Sequence, residues 1–110
     1  MPAYCLLDNL EVTDPEKLEQ YRRDVGTVVR AFGGRYVVLG GKVARVEGDW
    51  KPTFPVMIEF PSFDQAQRWY DSEAYRELKA LRLSAGRFNA VLIEGLESTP
   101  AFMSEGRSAR

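Results

Sequence analysis

Four short segments of this chain carry apolar residues at adjacent positions, and this pattern constrains the fold more than any other feature. Because neighbouring residues of a strand point to opposite sides of a sheet, a sheet built from these segments is apolar on both faces. A strand with only one buried face alternates apolar and polar residues instead. The four segments are Leu6-Leu7, Val37-Val38-Leu39, Val56-Met57-Ile58 and Val91-Leu92-Ile93.

Two regions with helical spacing alternate with these strands. Asp14-Pro15 is a typical helix start, and Gly33-Gly34 a typical helix end. The second helical region starts at Ser62, is interrupted at Asp71-Ser72 and stops at Gly86. The predicted strands are 3–12, 35–39 continuing as strand or hairpin over Lys42 to Glu47, 54–60 and 88–94.

The resulting order, β-α-β-β-α-β, predicts a ferredoxin-like α+β fold. In that fold a four-stranded antiparallel sheet carries its helices on one face. One chain therefore covers only one of the two apolar faces, and a patch of that size is unusual on a monomer. A second copy is the simplest cover, so we expect a homodimer. Val37 and Val38 are expected to point to opposite faces.

Composition narrows the function classes. The 110 residues predict one domain over 1–96, followed by a flexible or partner-docking tail over 97–110. A net charge of −1 offers no basic face for nucleic acid. Cys5 is the only cysteine and is expected to be a small buried hydrophobe. With no signal peptide or membrane span in the sequence, we expect a cytoplasmic protein that does not bind membranes.

The chain contains no histidine. This removes Ser-His-Asp and Cys-His nucleophile schemes, most zinc sites and a haem held by a proximal histidine. We therefore expect no metal and no cofactor, and any catalysis would rest on carboxylate, Tyr, Lys or Arg side chains.

Polar side chains within apolar segments are the candidate ligand-binding residues. Glu59 lies between Ile58 and Phe60, where desolvation would raise the pKa of its carboxyl group and suit an acid–base role. The alternative is an ion pair with a neighbouring arginine. Arg35 opens the second strand, and its guanidinium suits a carboxylate or phosphate. The alternative for Arg35 is a salt bridge at the helix-to-strand corner.

Three further residues complete the candidate site. Arg82 lies on the face of the second helical region, either as a ligand clamp or as a residue that extends to the surface. Trp69 is either a pocket wall or a core anchor. Trp50, in a loop bounded by Gly48 and Pro52, is expected to cover a pocket mouth or to dock on the partner subunit.

Five segments, in order, resemble the domain-of-unknown-function 1330 family over about Ala3 to Gly95. This resemblance implies a dimeric α/β barrel in which two βαββαβ chains pack sheet to sheet. It implies no established activity and no agreed catalytic residues. The segments are Val12-Thr13-Asp14-Pro15-Glu16, Gly33-Gly34-Arg35, Glu47-Gly48-Asp49-Trp50, Ile58-Glu59-Phe60-Pro61-Ser62 and Trp69-Tyr70-Asp71-Ser72-Glu73-Ala74-Tyr75.

The sequence leaves three functions open. The leading hypothesis is a homodimeric small-molecule-binding protein with a mainly apolar pocket near Glu59, Arg35 and Trp69. The second is a cofactor-free enzyme, similar to a monooxygenase or isomerase, acting on a small aromatic or dicarbonyl substrate. The third is a structural dimer module with a filled core. A roomy apolar pocket favours the first, and a closed pocket with a carboxylate of raised pKa favours the second.

Overall fold

The computed structural model describes residues 1–96 and has the predicted order of elements, with the second helical region divided in two. The ferredoxin-like α+β fold is confirmed. The expected tail, 97–110, lies outside the described residues. The strands are β1 (Ala3–Val12), β2 (Arg35–Leu39), β3 (Pro55–Phe60) and β4 (Gly86–Glu94), and the helices are α1 (Pro15–Ala31), α2 (Phe63–Asp71) and α3 (Glu73–Ser84).

The strands form one antiparallel sheet in the order β2-β3-β1-β4. β1 and β3 therefore lie in the centre of the sheet, and β2 and β4 form its edges. Within residues 1–96, no helix is long and apolar enough to cross a membrane.

Side-chain caps fix the helix boundaries where the sequence predicts them. The Asp14 carboxylate accepts a hydrogen bond from the Lys17 backbone N–H at 3.1 Å, and the Ser62 hydroxyl accepts one from Gln65 N–H at 3.0 Å. Ser72 ends α2 and begins α3: its hydroxyl accepts from Tyr75 N–H at 3.1 Å. These bonds satisfy N–H groups that have no partner inside the helices.

Two glycines meet steric demands at element junctions. Gly33 follows α1 with a φ of 81°, a left-handed conformation that favours glycine. Gly86 opens β4 directly beside β1, where a Cβ atom would overlap the Glu11 carbonyl oxygen. Gly86 therefore starts a strand, while Ala85 closes α3.

The predicted strand or hairpin over Lys42 to Glu47 is wrong. These residues belong to an irregular segment, 40–54, that is mostly exposed. Gly40, with a φ of 64°, turns the chain away from β2, and its N–H bonds the Pro55 carbonyl at 2.7 Å. The Lys-Val-Ala-Arg-Val-Glu segment has no described neighbouring strand with which to pair.

The two faces of the sheet are both apolar, as predicted, but only one is covered by helices. Cys5, Leu7, Val56 and Ile58 form a buried core with α1, α2 and α3. The opposite side, here called the open face, carries half-buried and exposed apolar side chains. Its apolar side chains are those of Tyr4, Leu6, Val38, Met57, Val91 and Ile93. Arg35 and Glu59 lie on the same side, because the register places Glu59 opposite Tyr4 and Arg35 opposite Glu59.

A bulge in β2 changes the expected orientation of its valines. The register with β3 shifts between Tyr36 and Val38, so Val37 has no Cα partner. Val38 lies opposite Met57 on the open face, whereas Leu39 lies opposite Val56 on the helical side. The bulge therefore interrupts the alternation at Val37 and Val38, and it turns the Leu39 side chain toward the helical side of the sheet.

Candidate functional site

A cavity of about 380 Å³ lies between α1 and the helical side of the sheet. We call it the α1 cavity. Leu39 and Arg22 in its lining are exposed, so the cavity opens to solvent on their side. Its lining is mainly apolar with a few polar groups, which is the usual make-up of a small-molecule site. The lining residues are Leu7, Asn9, Leu18, Tyr21, Arg22, Val25, Gly26, Tyr36, Leu39, Phe54, Val56 and Arg82.

Arg82 contributes a buried cation to this cavity. The residue, in the last turn of α3, is only 3% exposed. Its Nε, Nη1 and Nη2 atoms make no hydrogen bond of standard geometry among residues 1–96, and the neutral Tyr75 hydroxyl is a polar group beside them. Its Cζ atom lies 5.2 Å from the centre of the Phe88 ring, a cation–π contact that offsets part of the cost of burial. The prediction that Arg82 extends to the surface is therefore wrong.

Two tyrosine hydroxyls from different helices meet beside this arginine. Tyr21 of α1 and Tyr75 of α3 share a buried hydrogen bond of 2.7 Å. Burial raises the pKa of both phenols, and the neighbouring Arg82 charge opposes this without cancelling it. Both hydroxyls therefore stay protonated at neutral pH and can act as hydrogen-bond donors.

A loop residue and a surface arginine form the open end of the cavity. Both Asp8 carboxylate oxygens accept from Thr53 N–H, at 3.0 and 3.1 Å, and Oδ1 also accepts from Phe54 N–H at 2.8 Å. This fixes the backbone of Phe54, whose ring lies 5.2 Å from the Arg22 guanidinium. Arg22 and Phe54 therefore frame the cavity mouth.

Arg35 and Glu59 come together, but away from the α1 cavity. The Arg35 Nε–H donates to Glu59 Oε1 at 2.7 Å, and the Tyr4 hydroxyl donates to Glu59 Oε2 at 3.1 Å. These two hydrogen bonds, that from Arg35 first, lower the pKa of Glu59. The expectation that desolvation raises this pKa is wrong, and the ion-pair alternative is confirmed. The pair lines a shallow depression with Gly33 and Pro61.

The structure separates the two candidate tryptophans from that pair and from each other. Trp69 is fully buried, and its ring centre lies 4.3 Å from that of Tyr75 and 5.3 Å from that of Phe60. Trp69 packs in the core, and it is not among the residues that line the α1 cavity. Trp50 is 66% exposed in the irregular segment 40–54. A single pocket near Glu59, Arg35 and Trp69 is therefore not formed, and Arg82 alone of the five predicted residues lines the α1 cavity.

Cys5 is buried in the core, as expected. Burial raises the pKa of its thiol to about 12, so the thiol is protonated and unreactive at neutral pH. Among residues 1–96, no group of three His, Cys, Asp or Glu side chains could hold a metal ion.

Sequence reasoning missed the tyrosines of the α1 cavity. Tyr21 fits the apolar stripe of α1, and Tyr75 the buried face of α3, so both read as core residues. The available signal was the hydroxyl group itself, since a buried phenol needs a hydrogen-bond partner. That two such hydroxyls meet beside Arg82 depends on how α1 packs on α3.

The described domain matches one family over nearly its whole length. The family described as "Domain of unknown function (DUF1330)" matches residues 2–96. No curated protein matches the chain.

Solved structures with the same fold are distant in sequence. A protein of unknown function from Rhodopseudomonas palustris superposes with a TM-score of 0.67 at 22% identity, covering 88% of this chain and 84% of the other. A hypothetical protein from Arabidopsis thaliana gives 0.60 at 14% identity, with coverages of 90% and 91%. SnoaB, a cofactor-independent oxygenase from Streptomyces nogalater, gives 0.56 at 11% identity, with coverages of 90% and 95%. These likenesses establish the fold alone.

Proposed function

The chain belongs to the DUF1330 family of domains of unknown function, and from that premise we propose that it is a homodimeric small-molecule-binding protein. The α1 cavity, of about 380 Å³, is the observation that carries this proposal. Its volume lies at the small end of the range for ligand pockets. A purely structural module would fill this space with side chains, because protein interiors are otherwise packed as tightly as organic crystals.

The open face supports the dimeric part of the proposal. Val91 and Ile93 are 51% and 47% exposed there, next to the half-buried Leu6 and Met57. A second copy would cover this face with an equally apolar surface, since a twofold axis brings the same patch of each subunit together. We expect such an interface to bury more than about 1,200 Å² in total.

The pKa values of the polar groups favour ligand binding over acid–base catalysis. Glu59, the carboxylate suggested as a base, is paired with Arg35 and has a lowered pKa, so it is a weak base. Burial raises the pKa of Tyr36, another lining residue, to about 12. A phenol with so high a pKa does not become a phenolate base near neutral pH. A cofactor-free oxygenase, as SnoaB is described, remains the alternative, in which the substrate's own reactivity supplies the chemistry.

The binding proposal is tested by filling the cavity. Val25 is buried and lines it, and Val25→Phe places additional ring atoms in that space. A thermal-shift screen of small aromatic acids, phenols and their neutral analogues first identifies a compound that stabilises the wild type. We expect Val25→Phe to weaken binding of that compound at least about tenfold, a loss of about 1.4 kcal/mol.

Val28→Phe is the matched control. It makes the same substitution on α1 at a half-buried position that is not among the cavity lining. We expect it to leave affinity within about twofold of the wild type, a change of less than about 0.5 kcal/mol. Equal losses in both variants, or a screen without any stabilising compound, would argue against ligand binding in this cavity.

A further inference from the structure

We infer that the ligand of the α1 cavity is an organic monoanion, a carboxylate on an apolar body, whose negative group pairs with Arg82. This inference rests on the function proposed above and names the class of ligand. It begins from the guanidinium of Arg82, which is 97% buried and makes no hydrogen bond of standard geometry to the described residues. A guanidinium keeps its proton in proteins, so the cavity contains a permanent positive charge.

A buried charge without a counter-charge is costly, and proteins normally pair it. The Phe88 ring and the neutral Tyr75 hydroxyl lie beside the guanidinium, and each is a weaker partner than a carboxylate. No acidic residue occurs among the described residues that line the cavity. The negative charge that completes this site must therefore come from outside residues 1–96.

The tyrosine pair beside Arg82 supplies a further donor, and Tyr21 of this pair lines the cavity. When Tyr21 and Tyr75 share one hydrogen bond, one hydroxyl donates and the other accepts. The accepting hydroxyl retains its own proton and can donate it elsewhere. Arg82 and this pair therefore present N–H and O–H donors, which match the lone pairs of a carboxylate.

The rest of the lining sets the character of the ligand's body. Four buried apolar residues line the cavity together with Arg82: Leu7, Leu18, Val25 and Val56. Inorganic phosphate would leave these side chains without contacts. One buried guanidinium also balances one negative charge, which favours a carboxylate over a phosphate dianion. Arg22 at the mouth is exposed, and its charge attracts an anion without being buried with it.

The test compares acids with their uncharged amides of nearly equal size. The probes are phenylacetate with phenylacetamide and 2-naphthoate with 2-naphthamide, titrated by calorimetry into the full chain. We expect at least one acid to bind the wild type about tenfold or more tightly than its amide. Arg82→Met should reduce that preference to within about threefold, which is about 0.7 kcal/mol. Inorganic phosphate should not compete at equal concentration.

Arg35→Met is the matched control, since it removes an arginine that already has its carboxylate partner, Glu59. It should leave the acid-over-amide preference unchanged. The two variants should also differ without ligand. Arg82→Met removes an uncompensated charge and should keep or raise the melting temperature, whereas Arg35→Met leaves Glu59 without its ion pair and should not raise it.

If Arg82→Met does not fold, Arg82→Lys answers the same question. It keeps the charge but loses the planar fork, so the preference should fall and not vanish. The preference should be constant from about pH 6 to pH 9, because guanidinium and carboxylate both stay charged over that range.

The outcomes separate this inference from the proposal beneath it. If acid and amide bind equally and Val25→Phe weakens both, the cavity binds ligands but the anion inference is wrong. If neither compound of either pair binds, the anion inference is wrong, whereas the binding proposal beneath it is decided by the thermal-shift screen and the Val25→Phe comparison. If Arg82→Met lowers the melting temperature and leaves the preference intact, Arg82 has a structural role and the inference fails.

Discussion

Two clusters in this protein combine an arginine with tyrosine hydroxyls, but only one of them contains a carboxylate. On the open face, Glu59 accepts hydrogen bonds from both of its neighbours. In the α1 cavity, the guanidinium has an aromatic ring and a neutral hydroxyl beside it, and the described lining contains no carboxylate. The open-face cluster is Tyr4, Arg35 and Glu59, and the cavity cluster is Tyr21, Tyr75 and Arg82.

The difference between the two clusters is informative because their arginines differ in solvent exposure. Arg35 is 72% exposed at its side chain and could remain solvated without a partner, yet it has one. Arg82 is buried, where a charged partner matters most, yet no carboxylate occurs among the described residues that line its cavity. If charges were paired only for stability, the buried arginine would have the carboxylate partner and the exposed arginine would not need one. We therefore interpret the cavity cluster as a binding site and the open-face cluster as part of a structural surface.

The largest effect is expected from a charge on the open face. Val91→Asp would place a carboxylate among the apolar side chains that the proposed second copy would cover. An unpaired charge in such an interface costs about 3 kcal/mol or more, which raises the dimer dissociation constant at least about 100-fold. Light scattering at micromolar concentration should report a dimer for the wild type and a mass near 12.5 kDa for the variant.

Leu83→Asp is the control for that experiment. Leu83 is 54% exposed, close to the 51% of Val91, but lies on α3 and not on the sheet. We expect this variant to stay dimeric. A monomeric wild type, or dissociation of both variants, would show that the open face is not the dimer interface.

The sequence predicts most of the fold because local signals and the global pattern agree. Asp14, Ser62 and Ser72 cap helices where predicted, and adjacent apolar residues in the strands do give a sheet with two apolar faces. The exception is Lys42 to Glu47. Its two valines favour a strand, but a strand needs a neighbour, and local sequence does not specify one.

The candidate site is predicted far less well, because it depends on packing between helices. For Glu59, the sequence left open an acid–base role or an ion pair with a neighbouring arginine. The β2–β3 register decides for the ion pair, because it places Glu59 opposite Arg35. The burial of Arg82 depends on the contact of α3 with α1 and β4. Helical spacing shows which residues share a face, but not what that face will meet.

A smaller effect is expected from the hydroxyl pair of the cavity cluster. Tyr21→Phe leaves the buried Tyr75 hydroxyl without its partner, which should lower the free energy of unfolding by about 1 to 3 kcal/mol. Tyr75→Phe should act similarly. The double variant should cost less than the sum of the two, because removing both hydroxyls leaves neither unsatisfied. Chemical denaturation of the ligand-free protein measures all three, and strict additivity would show that the hydroxyls do not depend on each other.

The smallest effect is expected at Glu59. Its hydrogen bonds to Arg35 and Tyr4 lower its pKa below the ordinary value of 4.5, so the folded state favours the ionised carboxylate. The resulting stabilisation is present above pH 4.5 and is lost as the pH falls through the lower folded-state pKa. Glu59→Gln lacks this contribution, so its melting temperature should lie slightly below that of the wild type at pH 7 and converge with it in acid. The shift should be small because Arg35 is mostly exposed and water screens the pair.

Melting curves from pH 3 to pH 7, recorded in the Val91→Asp background, keep the oligomeric state constant. The acid-over-amide preference should be untouched; if Glu59→Gln reduced it as Arg82→Met is expected to, the division between a structural cluster and a binding cluster would be wrong.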